Sequence, residues 1–262
     1  MPNANAVEAL PTPRTWLVQV VHSHMITPRA RRLVLGAPDL ADFPNLGADQ
    51  FAYLLLPPAG RTELTVDTGF QWSDVRAMPR HQRPRGAYYS LRHVRPAQGE
   101  IDLDIVMHDG GRASDWATDA RVGDPAALWG PRVLFRPPDD VDWFVLMADD
   151  TGVPAMLSIL DHLPADRPVI ALAQVADADE IRPVTPRPHL DLRWFCPLDP
   201  GPSLAEALAS LTLPEGTGYA WGGGERGWIQ LLDRILADDH GLAASQRSLT
   251  GYWRHGVATS LR

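Results

Sequence analysis

The stretch Trp143-Phe144-Val145-Leu146-Met147-Ala148-Asp149-Asp150-Thr151-Gly152-Val153-Pro154 decides how the second half of this chain folds. Its first six residues are an almost continuous apolar run, the pattern of a strand covered on both faces. Val153, Met156, Leu157, Leu160 and Leu163 then recur at three- and four-residue spacing, which predicts a helix. The turn between strand and helix has two readings. Its acids cap the helix, or, as at the strand ends of open α/β sheets, it faces a ligand. The alternation repeats downstream: strands are expected at 168–175, 189–195 and 218–221, and helices at 203–211 and through Trp228, Leu231, Leu232, Ile235 and Leu236. Such alternation indicates a parallel sheet.

Upstream of Arg136-Pro137-Pro138-Asp139 the character changes to β, so the expected division is 1–138 and 139–262. Residues 15–26 and 31–36 are rich in Val, Leu and Ile, 51–56 is a short apolar run stopped by Pro57-Pro58, and strand patterns resume at 88–94 and 100–108. In the last of these, Ile101, Leu103, Ile105 and Met107 alternate with Asp102, Asp104, Val106 and His108, which places His108 on the polar face. Residues 58–86 read as a loop carrying Arg76, Arg80, Arg83 and Arg85; a loop of that length in a compact domain is functional or mobile.

Composition narrows the chemistry. With 262 residues, 45% hydrophobic and 21% charged, the chain is an ordinary globular one able to bury a sizeable core. Its net charge of −8 argues against nucleic acid as a partner. Cys196 is the one cysteine, which excludes an internal disulfide, a four-thiolate zinc site and an iron–sulfur cluster. All 24 basic residues are arginine, so Schiff-base chemistry and a Walker lysine are excluded too. No apolar run reaches the roughly 20 residues that span a bilayer. The opening residues Met1-Pro2-Asn3-Ala4-Asn5-Ala6 lack the apolar core of a signal peptide, so a soluble, cytoplasmic protein is expected.

Four segments carry candidate binding chemistry. His108-Asp109-Gly110-Gly111-Arg112-Ala113-Ser114-Asp115-Trp116 places glycines after a strand and free amides at a helix start; it is a phosphate cradle or a glycine turn capped by Ser114. Tyr219-Ala220-Trp221-Gly222-Gly223-Gly224-Glu225 is a second strand-to-helix turn without the dinucleotide fingerprint. Tyr88-Tyr89-Ser90-Leu91-Arg92 offers rings to stack on a planar cofactor and a hydroxyl for a ring nitrogen, or is ordinary sheet tyrosine. Gly251-Tyr252-Trp253-Arg254-His255-Gly256 adds aromatics and a cation near the C-terminus, or is a terminal strand. Hydrolytic motifs are absent, and His22 and His24 read as a solvated pair on one strand face.

Taken in order, residues 108–117, Val122-Gly123-Asp124, Trp129-Gly130-Pro131-Arg132, Ala148–Ala155, Ala220–Glu225 and Gly251–Arg254 resemble the siderophore-interacting protein family of flavin-dependent ferric-siderophore reductases, within the ferredoxin-reductase superfamily. The resemblance runs from about residue 15 to the C-terminus. It implies an antiparallel Greek-key flavin barrel followed by an α/β nicotinamide-binding domain, with a C-terminal segment returning to the flavin. It implies FAD, with NADPH, NADH or ferredoxin as donor, and an anionic ferric siderophore as acceptor. Carried over by position, Tyr88, Tyr89, Ser90 and Arg92 belong to the flavin signature, and His108, Gly111, Ala113 and Ser114 to the pyrophosphate segment. Asp149, Thr151, Gly224 and Glu225 belong to the nicotinamide side, and Trp253 is a further cofactor-binding residue. Arg254, Arg132 and Tyr53 face the chelate.

No resident metal is implied, and electron transfer through the flavin asks for no catalytic acid or base. The sequence departs from the family in three places. Ala87 replaces the signature arginine and leaves pyrophosphate neutralisation to Arg85 or Arg83; Tyr53 replaces a lysine; and Ala148 and Asp150 replace the glycine and glutamate of the nicotinamide turn. Arg182 and Arg187 are candidates for a 2′-phosphate. The alternatives are a flavoprotein of the same fold serving another acceptor or a biosynthetic pathway, and a binding protein without redox chemistry.

Overall fold

The computed structural model describes residues 10–108 and 110–256; the opening residues quoted above and Asp109 of the cradle lie outside it. The chain forms two sheets. Strands β1 (Arg14–Thr27), β2 (Ala30–Gly36), β3 (Gln50–Leu56), β4 (Arg85–Ser90), β5 (His93–Arg95), β6 (Glu100–Val106) and β7 (Pro125–Val133) make an antiparallel sheet in the order β4-β3-β7-β1-β2-β6-β5. Its two edge strands, β4 and β5, are separated in sequence only by Leu91 and Arg92, so the sheet must curl until its edges meet. The Leu91 amide donates to the Gln50 carbonyl and the Arg92 amide to the Asp102 carbonyl, which completes the barrel. Inward residues of alternating strands, among them Trp16, Val18, Val20, Leu33, Leu35, Ile101, Leu103 and Ile105, fill it.

The second sheet is parallel, in the order β10-β9-β8-β11-β12: β8 (Trp143–Ala148), β9 (Val169–Gln174), β10 (Leu190–Phe195), β11 (Gly218–Glu225) and β12 (Arg247–Trp253). Helices α2 (Val153–His162), α3 (Leu204–Ala209) and α4 (Arg226–Asp238) cover it, and α1 (Arg112–Asp119) follows β6 in the barrel half. All six residues of β8 are buried, as its apolar run requires. The expected architecture, an antiparallel flavin-type barrel and then an α/β parallel sheet, is the one found.

Several local expectations are corrected. Residues 125–133, which carry no alternation and two prolines, form β7, which lies between β3 and β1. The expected strand at 88–94 breaks at Leu91-Arg92, where the barrel closes. The long loop is packed: Phe70, Trp72 and Val75 join Tyr53, Leu55 and Trp129 in a satellite core outside the barrel. Gly222, Gly223 and Gly224 continue β11 as buried strand instead of forming a turn. A side chain at Gly223 would meet the Tyr252 ring at 2.8 Å, and one at Gly224 the Asp149 carboxylate at 2.7 Å, so the glycines make room for neighbours crossing the sheet.

Asp102 and Asp104, expected on a solvated face, are both 4% exposed. Arg32 donates to both oxygens of Asp104, at 2.7 and 2.9 Å. Burial alone would raise the Asp102 carboxyl, but hydrogen bonds from His93 and Arg95 outweigh it and hold the group well below the usual range. The second half covers that face through a polar seam. Arg182 approaches Asp104 at 3.5 Å, Thr27 and the Arg29 amide donate to Glu180, and Arg92 pairs with Asp161 at 2.5 Å.

Candidate functional site

Where the barrel mouth meets the C-terminal ends of the parallel strands, a cleft of about 960 Å³ opens between the two halves. That is the large end of the range for small-molecule sites. The barrel contributes Tyr88, Tyr89 and Ser90 from β4 and the segment Gly110–Ala113 at the start of α1. The parallel sheet contributes Asp149–Thr151 after β8, Gln174–Ala176 from the end of β9 onward, Glu225 at the end of β11 and Thr250–Trp253 of β12.

On the barrel side, Tyr88 is 47% exposed, held upright by edge contacts to Phe51 (5.5 Å between ring centroids) and Tyr53 (5.0 Å). Tyr89 packs against the barrel core, and burial pushes its hydroxyl up to about 12. The cap position of α1 is Gly111, which brings no side chain of its own to the first-turn amides, and Gly110–Ala113 line the cleft. Ser114 is therefore not the cap: it sits inside the first turn and its hydroxyl accepts from the His108 amide at 2.8 Å. Gly111 is required by His108, whose imidazole occupies the space a side chain there would need. Arg112 adds a guanidinium to the cleft wall.

On the other side Asp149 organises three strand ends. One carboxylate oxygen accepts from the Thr151 amide (2.8 Å), the Thr151 hydroxyl (2.6 Å) and the Gly152 amide (3.2 Å). The other accepts from the Glu225 amide (2.7 Å) and the Trp253 indole (2.8 Å). Glu225 in turn caps α4 by accepting from the Trp228 amide at 2.8 Å. For its neighbour Asp150, burial reinforced by the Asp149 charge outweighs Arg182 and a hydrogen bond from the Ala176 backbone and pushes the carboxyl up to about 6.

The cleft thus brings together Tyr53, Tyr88, Tyr89, Ser90, His108, Gly111, Ala113, Asp149, Thr151, Glu225 and Trp253. Others lie elsewhere. Ser114 and Gly224 stand behind the wall, bonding His108 and accommodating Asp149. Arg92 points away into a separate hollow beside α2, paired with Asp161. Arg132 is exposed and lies over the Trp129 ring at 4.7 Å, and Arg254 is exposed at the end of β12. The Tyr53 hydroxyl is spent on the Gly86 carbonyl, at 2.7 Å.

Neither arginine suggested for a 2′-phosphate is available. Arg182 is 6% exposed in the seam, and Arg187 donates to the Leu160 and Pro164 carbonyls. Arg85 donates to the Pro57 carbonyl and Arg83 to that of Met78, whereas Arg112 lines the cleft. Trp72 and the segment after β9 were not anticipated. The first sits in an apparent loop; the second is signalled by its place at a parallel strand's C-terminal end.

The residues fit an FAD. The helix-start amides and Arg112 suit a pyrophosphate, an exposed tyrosine ring suits a planar ring system, and the Ser90 hydroxyl suits a ring nitrogen.

Comparison with known proteins agrees with this geometry. The profile of the siderophore-interacting FAD-binding domain matches residues 19–135, and that of the siderophore-interacting protein matches residues 141–256. The chain is 24% identical over 249 residues to the ferric vibriobactin reductase of Vibrio cholerae, covering 92% of this chain and 89% of that one. It is 28% identical over 228 residues to the NADPH-dependent ferric-chelate reductase of Escherichia coli, covering 82% and 84%. A crystal structure of a siderophore utilization protein from T. fusca superposes with a TM-score of 0.82 at 27% identity, covering 96% of this chain and 97% of that one. No helix among the described residues is long and apolar enough to cross a membrane.

Proposed function

The chain belongs to the siderophore-interacting protein family, and we propose that it is a flavin-dependent reductase passing electrons from NADPH or NADH through FAD to a ferric siderophore, releasing ferrous iron. The observation that carries this reading is the shared cleft, walled on one side by the β4 tyrosines and Ser90 and on the other by the strand ends around Asp149. We place the division between a flavin half and a nicotinamide half at residues 138/139, with β12 returning to the cleft.

FAD, when bound, takes electrons in pairs and gives them up singly, which links a nicotinamide to ferric iron. The chain's task is to hold and orient. Tyr88, Tyr89 and Ser90 would hold the ring system, and the amides of Gly111–Ala113 with Arg112 would hold the pyrophosphate. Thr151, Glu225 and Trp253, fixed by Asp149, receive the nicotinamide. Lowering the charge of oxygen-held iron weakens each iron–oxygen bond, so reduction itself frees the metal. In this reading Arg254 and Arg132, both exposed, are the cations for an anionic chelate.

The test is anaerobic: FAD-loaded protein, NADPH or NADH, a ferric chelate and a ferrous trap. Ferrous product at the rate of flavin reoxidation supports the reading; bleaching without ferrous product overturns it. Reduced ferredoxin in place of the nicotinamide identifies the other donor. A second reading, the same flavoprotein serving another acceptor, draws on Tyr53, whose hydroxyl is occupied, and on the position of Arg254 and Arg132 outside the cleft wall.

Two predictions belong to this reading. Arg112→Ala removes the one guanidinium on the described wall and should weaken FAD binding roughly ten- to a hundredfold, the worth of a charged hydrogen bond, as read by flavin-fluorescence titration. Asp150 is a neutral acid below about pH 6 and a carboxylate above it. An anionic dinucleotide beside it should therefore bind more weakly as pH rises through that value. Asp150→Asn should flatten this dependence, and an unchanged pH profile would place the dinucleotide elsewhere.

A further inference from the structure

A second hollow, of about 370 Å³, lies between the barrel and α2 and shares no lining residue with the cleft. The barrel supplies Gln50 at the start of β3 and residues 91–95 across the closure, and α2 supplies Ser158, Asp161 and His162. Its size falls at the small end of the range for small-molecule sites. No step of the proposed reaction uses it.

Two polar atoms of its lining residues are buried and unmatched. The Arg92 side chain is 11% exposed; its Nη1 donates to Asp161, and its Nε has no hydrogen-bond partner among the described residues. Gln50 is 3% exposed; its amide nitrogen donates to the Asn45 side-chain oxygen at 3.1 Å, and its Oε1 has no partner among them. The two belong to neighbouring backbone, because the Leu91 amide donates to the Gln50 carbonyl at 2.7 Å. Buried donors and acceptors are satisfied as a rule, so this pair calls for one molecule that complements both.

Other arginines of the chain show what the Nε edge of a guanidinium takes. Arg32 presents Nε and Nη2 together to Asp104, at 2.7 and 2.9 Å, and Arg95 presents them to Glu100, at 3.3 and 3.0 Å. That paired-donor geometry matches a carboxylate. Asp161, the one carboxylate among the described residues lining the hollow, reaches Nη1 instead and leaves the Nε edge to a ligand. Gln50 Oε1 needs a donor. A hydroxyl supplies one without placing a further positive charge beside Arg92 and Arg95, as an ammonium would.

We propose that this hollow is a second binding site, for a small hydroxycarboxylate whose carboxylate takes the Nε edge of Arg92 and whose hydroxyl donates to Gln50 Oε1. The site stands independently of the flavin and of the acceptor. Because the barrel and α2 both line it, its ligand bridges the two halves. Through α2, whose Pro154 lines the cleft, the bridge extends to the wall of the cleft itself.

Calorimetric titration of the FAD-loaded full chain with L-malate, succinate and L-aspartate is the test. L-Malate should bind with a dissociation constant below about 1 mM. Succinate, which lacks the hydroxyl, and L-aspartate, which has an ammonium in its place, should bind at least roughly tenfold more weakly. Arg92→Lys keeps the charge opposite Asp161 but not the paired donors, and Gln50→Glu offers the Nε edge a carboxylate of the chain's own. Each should weaken L-malate at least roughly tenfold with flavin content unchanged. The thermal midpoint should rise with L-malate in the wild type and stay put in both variants. Saturation only above roughly 20 mM is adventitious binding and overturns the proposal. Equal binding of the three acids overturns it too, as does L-malate binding that survives both substitutions.

Discussion

Asp149→Ala is expected to destabilise the protein by about 3–5 kcal/mol and to disorganise the parallel-sheet side of the cleft in the same stroke. The wild-type carboxylate receives five hydrogen bonds from three segments: the turn after β8, the end of β11 and the Trp253 indole of β12. Each buried donor left without its acceptor costs roughly 1–3 kcal/mol, and water entering from the cleft recovers part of that. The cavity beside Gly224, whose missing side chain makes room for this carboxylate, adds to the loss. Asn at the same position is no remedy. Its amide nitrogen must face either the Thr151 and Gly152 donors or the Glu225 and Trp253 donors. Urea unfolding reads the effect as a fall in midpoint at constant slope. A loss below about 1 kcal/mol would mean that the strand ends are held by the sheet alone.

This residue also shows what the sequence made legible and what it hid. That an acid sits in the turn after β8 follows from local pattern: a buried apolar run, two acids, then a helical period. That the acid ties down Glu225 and Trp253 depends on partners 76 and 104 residues away, which no local pattern records. The same distinction separates the other successes and failures. β8 and α2 announce themselves through apolar periodicity. β7 does not, because a strand buried in mid-sheet has no polar face to alternate and its prolines read as breakers. The run at 222–224 looks like a turn because glycine usually marks one, and becomes strand because Tyr252 and Asp149 occupy the missing side-chain space. Arginines are the hardest to place from sequence. Arg92, Arg182 and Arg187 all looked available to ligands, and each is engaged in pairing or carbonyl contacts that arise only from tertiary structure.

Gly86→Ala tests how tightly the flavin side depends on barrel geometry, and should cost more than about 3 kcal/mol together with most of the bound FAD. Gly86 opens β4 with φ 154°, a conformation that L side chains rarely adopt. A methyl group there would overlap the Leu54 carbonyl oxygen of β3, which is backbone in the middle of a paired strand and has nowhere to move. The substitution must therefore push β4 off β3. Tyr88, Tyr89 and Ser90 follow in the same strand, so the displacement reaches the cleft within two residues. The Gly86 carbonyl also holds the Tyr53 hydroxyl, and its shift loosens the tilted contact of Tyr53 with Trp72, whose ring centroids lie 4.6 Å apart. Tyr53→Phe isolates that last contribution: it removes one hydrogen bond, leaves the β3–β4 pairing intact, and should cost about 1 kcal/mol with flavin retained. Equal losses of flavin in the two variants would show that the Tyr53 hydroxyl, and not the strand geometry, positions the cleft.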